Sequence, residues 1–195
     1  MTVRKVLNVG GNSKAISIPP QYSDFEHLLL DIDPTGKPDI VCDARKLTTL
    51  KPNEFDAIYC SHNLEHYYRH EVSEVLSGFM HVLKEGGIAH IKVPDIKSLM
   101  KTCIEEDLDI DDILYTSSAG PIMVLDVLYG FNKKIETSGK DYFAHKTGFT
   151  EKSLFKALKR TKFSKVYFSK KKLEVSAYAF KGKPDLSLCK LFNIK

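Results

Sequence analysis

Four short apolar runs, each with a polar residue or glycine at its carboxyl end, constrain the fold of this chain more than any other feature. They are KVLNVGG (5–11), LLLDID (28–33), DIVCDA (39–44) and FDAIYCSHN (55–63). A fifth run, GIAHIKVPD (87–95), follows a helical stretch. Parallel strands covered on both faces read as continuous Val/Ile/Leu runs, because neither face meets water. In an open sheet of such strands, ligands bind beyond the carboxyl ends. Gly10-Gly11, Asp31, Asp43 and Ser61-His62-Asn63 would all meet there, so the pattern predicts a nucleotide-like site.

A chain of 195 residues is long enough to bury one core and fits a single domain, 1–195. No apolar run approaches the roughly 20 residues that span a bilayer. MTVRKVLNVGG runs straight into a strand and lacks a signal-peptide cleavage pattern. Cys42, Cys60, Cys103 and Cys189 form no CxxC pair. A reduced, cytoplasmic setting follows as the expectation, with neither a disulfide framework nor a cysteine zinc site. The formal charge of +4 is unevenly spread: residues 151–195 hold 13 Lys/Arg against 3 Asp/Glu. Those lysines read as the solvated faces of a helix and hairpin. No aromatic pattern for base stacking is interleaved with them, so RNA is left open as a partner but without support.

The spacing predicts the following order. Strand one leads into a loop where Pro19-Pro20 discourages a long helix. Strands two and three are joined by DPTGKP, which is too short for a helix, so the N-terminal crossover helices are trimmed. RHEVSEVLSGFMHVLK (69–84) carries Val72, Val75, Leu76, Phe79, Val82 and Leu83 at helical spacing. Residues 96–148 read as a mostly helical insertion over the site, acidic at 105–112 and apolar at 120–131. TEKSLFKALKRTKF (150–163) is an amphipathic helix capped by Thr150. VYFSK (166–170) and LEVSAYAFK (173–181) form a terminal antiparallel hairpin.

Asp31 lies 21 residues after Gly10, the spacing at which a strand-two acid accepts hydrogen bonds from ribose hydroxyls. Asp33 is the neighbour that could cap the following turn. His62-Asn63-Leu64-Glu65-His66 has the H-x-x-E-H spacing of inverted zinc peptidases, with Glu136 far downstream as a conceivable further ligand. A peptidase would leave the other strand-end motifs without a use. A different enzyme holding a metal through Glu65, His66 and His145 is the other reading, and no metal centre is assigned.

The order of elements resembles the class I S-adenosylmethionine-dependent methyltransferases, the type-11 group in particular, motif by motif over residues 3–95. VLNVGGN (6–12), LDIDP (30–34), Asp43-Ala44, IYCSHNLEHY (58–67) and LKEGGIAHIKVPD (83–95) carry the likeness. YGF (129–131) and HKTGF (145–149) are similar to substrate-side segments of one subset of that group. The resemblance implies a Rossmann-like α/β sheet, mostly parallel, closed by the antiparallel hairpin. It implies S-adenosyl-L-methionine as cofactor, with Asn8, Gly10, Gly11 and Asn12 around its methionine part. Asp31 and Ile32 would meet the ribose, Asp43 and Ala44 the adenine, and Ser61 and His62 the sulfonium. The family's first strand ends in an acid where this chain has Asn8, and Asn12 and Lys14 replace later glycines.

Methyl transfer is an in-line displacement, so the protein mainly holds donor and nucleophile together. A base is needed when the acceptor is a hydroxyl or a protonated amine. His62, His66 and His145 are the candidates, His62 first because it directly follows strand four, with Tyr129 further back. The expected acceptor is an O or N atom of a small molecule or a glycan-type substrate. The alternative is a methyltransferase-like domain without catalysis, acting as a binding or regulatory module. CSHN stands where the amino-directed DNA methyltransferases carry D/N-P-P-Y/F, which argues against base methylation of DNA. A nicotinamide enzyme would need G-x-G-x-x-G opening a helix, and Gly10-Gly11-Asn12-Ser13 opens a proline-interrupted loop instead. The oligomeric state cannot be read from the sequence.

Overall fold

The structure, a computed structural model, describes residues 3–117 and 120–194. Its strands are β1 (Arg4–Val9), β2 (Phe25–Asp31), β3 (Ile40–Val41), β4 (Phe55–Ser61), β5 (Leu83–Pro94), β6 (Ile113–Ser117), β7 (Gly120–Met123), β8 (Lys165–Lys171) and β9 (Glu174–Phe180). Its α-helices are α1 (Val72–Val82), α2 (Ile96–Glu105), α3 (Val124–Tyr129), α4 (Asn132–Ser138), α5 (Glu151–Arg160) and α6 (Leu186–Leu191). Seven strands form one sheet in the order β3-β2-β1-β4-β5-β9-β8. β1 to β5 pair in parallel, and β9 runs antiparallel to both β5 and β8.

Alternation along each strand divides the core in two. Leu7, Val9, Ile58, Cys60, Ala89 and Ile91 point to the face covered by α1 and α5. Val6, Ala57, Tyr59, Ile88 and Phe180 point the other way, onto Tyr22, Leu188 and Phe192. Both faces are dry, which is why the strands read as unbroken apolar runs. The first face has proper helices; the second is closed by a 3-10 turn at Pro20–Tyr22 and by α6. Trimming of the N-terminal crossovers is therefore real: only 3-10 turns lie between β1 and β4. Pro19 and Pro20 supply no N–H donors, and the β2–β3 link is a single Pro34–Gly36 turn capped by Asp33. β3 shrinks accordingly to two residues at the sheet edge.

Three expectations need correction. The apolar stretch 120–131 is not all helix: Gly120–Met123 pairs antiparallel with Ile113–Ser117, and only Val124–Tyr129 is helical. Val and Ile suit either state, and a short apolar run does not tell them apart. Residues 118 and 119 lie outside the described residues. The second strand ends at Asp31, as expected, but starts earlier, at Phe25, and the 39–44 run forms only the two-residue strand Ile40–Val41. The third correction is α6, which was not foreseen although Asp185 is its cap, accepting from the N–H groups of Ser187 and Leu188.

Several lysines of the basic tail have local structural partners. Lys159 donates to the carbonyls of Phe163 and Ser164, and Lys181 to that of Leu83. Lys170 pairs with Glu151 at 2.9 Å. No helix among the described residues is long and apolar enough to cross a membrane.

Candidate active site

The carboxyl ends of β1, β2 and β4 frame a cavity of about 200 Å³ that includes Gly10, Asn12, Asp31, Ile32 and His62 in its walls. β1 ends in a tight turn. Gly10 has φ +72°, and its N–H donates to the Leu30 carbonyl at 2.8 Å. Asn12 takes φ +60° and donates its N–H to Asp31 Oδ2 at 2.8 Å, while Asp33 N–H donates to Asp31 Oδ1 at 2.9 Å. Asp31 thus staples the first turn to the second. Each carboxylate oxygen has a further lone pair and can still accept from a ligand hydroxyl. Ile32 puts apolar surface into the same wall and is 44% exposed.

Several predicted residues lie behind that wall. Asn8 is buried beneath Gly11, where an added Cβ would fall 2.2 Å from the Asn8 amide. Ala44 is buried, and neither Gly11 nor Ser61 borders the cavity. Asp43 does border it, but its carboxylate is engaged: it caps the 3-10 turn Ala44–Thr49 through Arg45 N–H and accepts Arg45 Nε at 2.9 Å. Arg45 also pairs with Glu71. Burial alone would raise the Asp43 carboxyl, but the Arg45 hydrogen bonds outweigh it and hold the group below the usual range. Sequence reasoning missed Arg45, although the D-x-R spacing of a capping turn was visible.

His62 sits at the tip of β4 with φ +50°, a sparsely populated conformation for a non-glycine residue. Its Nε2 faces Glu174 Oε2 at 3.1 Å and its Nδ1 faces Glu65 Oε1 at 3.4 Å. Burial pulls this imidazole down, but the two carboxylates prevail and lift it to about 9. It is therefore cationic at neutral pH. Glu174 responds in kind: burial would raise it, yet His62 and Lys92 bring it down to about 2. A protonated ring has no lone pair with which to take a proton, so the geometry argues against His62 as the base.

His66 and His145 are built differently. His66 Nδ1 lies 3.0 Å from the Ala144 carbonyl, and His145 Nδ1 lies 3.0 Å from the Val127 carbonyl. A carbonyl only accepts, so each Nδ1 carries a proton, and in the neutral tautomer this selects the lone pair is on Nε2. The rings meet edge to face, 4.9 Å between centroids. Burial, set against the neighbouring Glu65, leaves His145 below the usual histidine value. His66 borders the first cavity, and His145 borders a second of about 170 Å³ with Tyr115, Ile122 and Phe131. His62 borders both.

Residues 96–148 reach over the first cavity through Tyr142, Phe143 and Lys146. Asp33 ties them down, accepting from Tyr142 Oη at 2.7 Å and Lys140 Nζ at 3.0 Å besides Thr35. The Thr35 backbone and hydroxyl, then Tyr142 and Lys140, hold the Asp33 carboxyl far below the carboxylate range. A carboxyl depressed on folding adds stability that is complete above the unfolded value of about 3.9 and fades as pH falls below it. The stability gap between wild type and Asp33→Asn is thus expected to stay constant from neutral pH to about 5 and to narrow below about 4. Urea unfolding across that range measures it, and a gap that widens toward acid would refute the assignment.

The cavity suits an adenosyl cofactor on two observations. Gly10 borders the cavity and lets the Asn63 side chain pack directly on its backbone, since an added Cβ would fall 2.1 Å from Asn63 Nδ2. Asn63 Oδ1 is buried without a hydrogen-bond partner and borders the same cavity. It is an acceptor beside the turn that follows Asn8. The sequence placed Asn63 at the site with Ser61 and His62 but gave it no cofactor role, because nothing in CSHN says which side chain points at Gly10.

Comparison with known proteins agrees with this architecture. A family model described as "Methyltransferase domain" matches residues 14–91. The fold is similar to a SAM-dependent methyltransferase from Archaeoglobus fulgidus (15% identity, TM-score 0.57, 91% of this chain and 86% of that one). It is also similar to a SAM-dependent methyltransferase from Methanosarcina mazei (15% identity, TM-score 0.57, 93% and 94%). An O-methyltransferase family protein from Burkholderia thailandensis matches at 10% identity and TM-score 0.55, over 93% of this chain. The chain spans 52% of that protein's length. No curated protein matches in sequence. The methyltransferase-domain model covers residues 14–91, and over nearly the whole chain the fold is similar to that of S-adenosylmethionine-dependent methyltransferases.

Proposed function

We propose that this chain is an S-adenosylmethionine-dependent methyltransferase that methylates a hydroxyl or amine of a small molecule or glycan-type acceptor, taken up in the cavity beside His145. The observation that supports this most is the shared wall: His62 borders both the Gly10–Asp31 cavity and the second cavity, and the His66–His145 pair bridges them. S-adenosylmethionine, when bound, supplies a methyl group already activated by positive sulfur. Asp31 orients the ribose end, Ile32 packs on the nucleoside, and Asn63 Oδ1 accepts from the amino-acid end. Asp43, saturated by Arg45, shapes the adenine side more than it binds there. The acceptor is activated at the junction, where Glu65, His66 and His145 stand together. Tyr115, Ile122 and Phe131 provide an apolar and aromatic floor suited to a sugar ring or an aromatic alcohol.

Transfer of labelled methyl from S-adenosylmethionine to a panel of hydroxylated and aminated small molecules and oligosaccharides tests this reading. Incorporation into at least one acceptor is expected; none across the panel, from protein that binds cofactor, would contradict it. Asn63→Ala is expected to weaken S-adenosylhomocysteine binding by about tenfold or more, the range for one hydrogen bond to a charged ammonium. Calorimetric titration measures it, and an unchanged affinity would remove Asn63 from the cofactor set.

A further inference from the structure

We infer that Glu65, His66 and His145 form a binding site for one divalent transition-metal ion, zinc by donor type, at the junction of the two cavities. Glu65 is the starting point. Its side chain is 2% exposed, and neither carboxylate oxygen has a hydrogen-bond donor. A carboxylate taken out of water normally finds donors or a cation, because its desolvation is costly. The nearest candidates, His62 Nδ1 at 3.4 Å and His145 Nε2 at 4.0 Å, make ion-pair contacts without hydrogen-bond geometry. The cationic His62 ring is an ion-pair neighbour of Oε1, but neither Glu65 oxygen receives a hydrogen bond, and a buried carboxylate left this way beside two imidazoles can complete a cation site.

The two imidazoles complete it. Ligand atoms of Glu65, His66 and His145 all lie within 4.8 Å of one another. Their Nδ1 atoms donate to the Ala144 and Val127 carbonyls, which fixes the tautomer that leaves Nε2 free. Backbone carbonyls do the same for ligating histidines in metal proteins, where they orient the ring and raise its basicity. Two imidazoles and one carboxylate suit zinc, cobalt or iron far better than magnesium or calcium, which take oxygen ligands. Three protein ligands also leave an open position, as at catalytic zinc. The H-x-x-E-H run is involved, but its first histidine is not a ligand: His62 is turned toward Glu174, and the third donor arrives from His145.

Metal binding follows from these side chains alone; only its catalytic use rests on the function proposed above. In that use an acceptor hydroxyl takes the open position and is polarised. Its proton leaves to solvent water, its oxygen forms the new O–CH3 bond, and the S–CH3 bond breaks to release the demethylated cofactor.

Tag-free protein, stripped with chelator and dialysed, is titrated with zinc alone, then with cobalt or magnesium, by calorimetry. One zinc per chain is expected, with cobalt giving ligand-field absorption and magnesium no heat. Glu65→Gln, His66→Ala and His145→Ala are each expected to weaken zinc binding by roughly 100-fold or more, whereas His70→Ala, on an exposed ring, is expected to change nothing. His145→Gln is the second variant should His145→Ala fail to fold, with circular dichroism as the check. Absence of zinc binding by folded wild type, or binding unchanged in all three ligand variants, would overturn the site. S-adenosylhomocysteine titration of the same metal-free sample reports separately on the cofactor reading.

Discussion

Asp31→Ala is expected to weaken S-adenosylhomocysteine binding by roughly 30- to 100-fold or more and to lower folding stability by about 2–4 kcal/mol. Both effects have one origin. The Asp31 carboxylate accepts from the N–H groups of Asn12 and Asp33, so it joins the turn after β1 to the turn after β2. Alanine would leave Asp33 N–H as an unpaired donor in a buried residue, and Asn12 would lose what holds it at positive φ. Unmade hydrogen bonds of this kind cost about 1–3 kcal/mol each. Affinity falls further because the ribose acceptor itself is gone. Calorimetry and urea unfolding read the two effects. Unchanged cofactor affinity in a folded Asp31→Ala protein would place the nucleoside elsewhere.

Gly10→Ala is expected to cost about 1–2 kcal/mol for its left-handed backbone alone, and to reduce S-adenosylhomocysteine affinity at least about tenfold. Two effects add here. At φ +72° a Cβ crowds its own chain, and it would also fall 2.1 Å from Asn63 Nδ2. Gly139 separates the two, since it has φ +66° and nothing within 4 Å of an added Cβ. Gly139→Ala should therefore show the conformational cost but leave cofactor affinity unaltered. Equal affinity losses in both variants would mean that Asn63 and the Gly10 surface play no part in binding.

The strands, the trimmed crossovers and the terminal hairpin were legible because burial on two faces and prolines in a short loop act locally. The 21-residue interval from Gly10 to Asp31 was legible for the same reason: it records one loop and one strand. Side-chain partnership was not. Glu174 lies 112 residues from His62, and only the β5–β9 pairing brings them together, so the charge on His62 could not be foreseen. Asp43 looked like a free adenine ligand until Arg45 and Glu71 closed around it. His145 was nameable as a candidate, but its tautomer depends on the Val127 carbonyl, which α3 supplies. The Gly120–Met123 strand was hidden because its apolar residues fit a helix equally well.

The most direct measurement is a calorimetric titration of the folded wild-type chain with S-adenosylhomocysteine, paired with amide chemical-shift mapping. The account predicts saturable binding at one site per chain, with the largest shifts at Gly10, Asn12, Ile32 and Asn63. Absence of heat at millimolar ligand, or shifts confined to surfaces away from these residues, would contradict it.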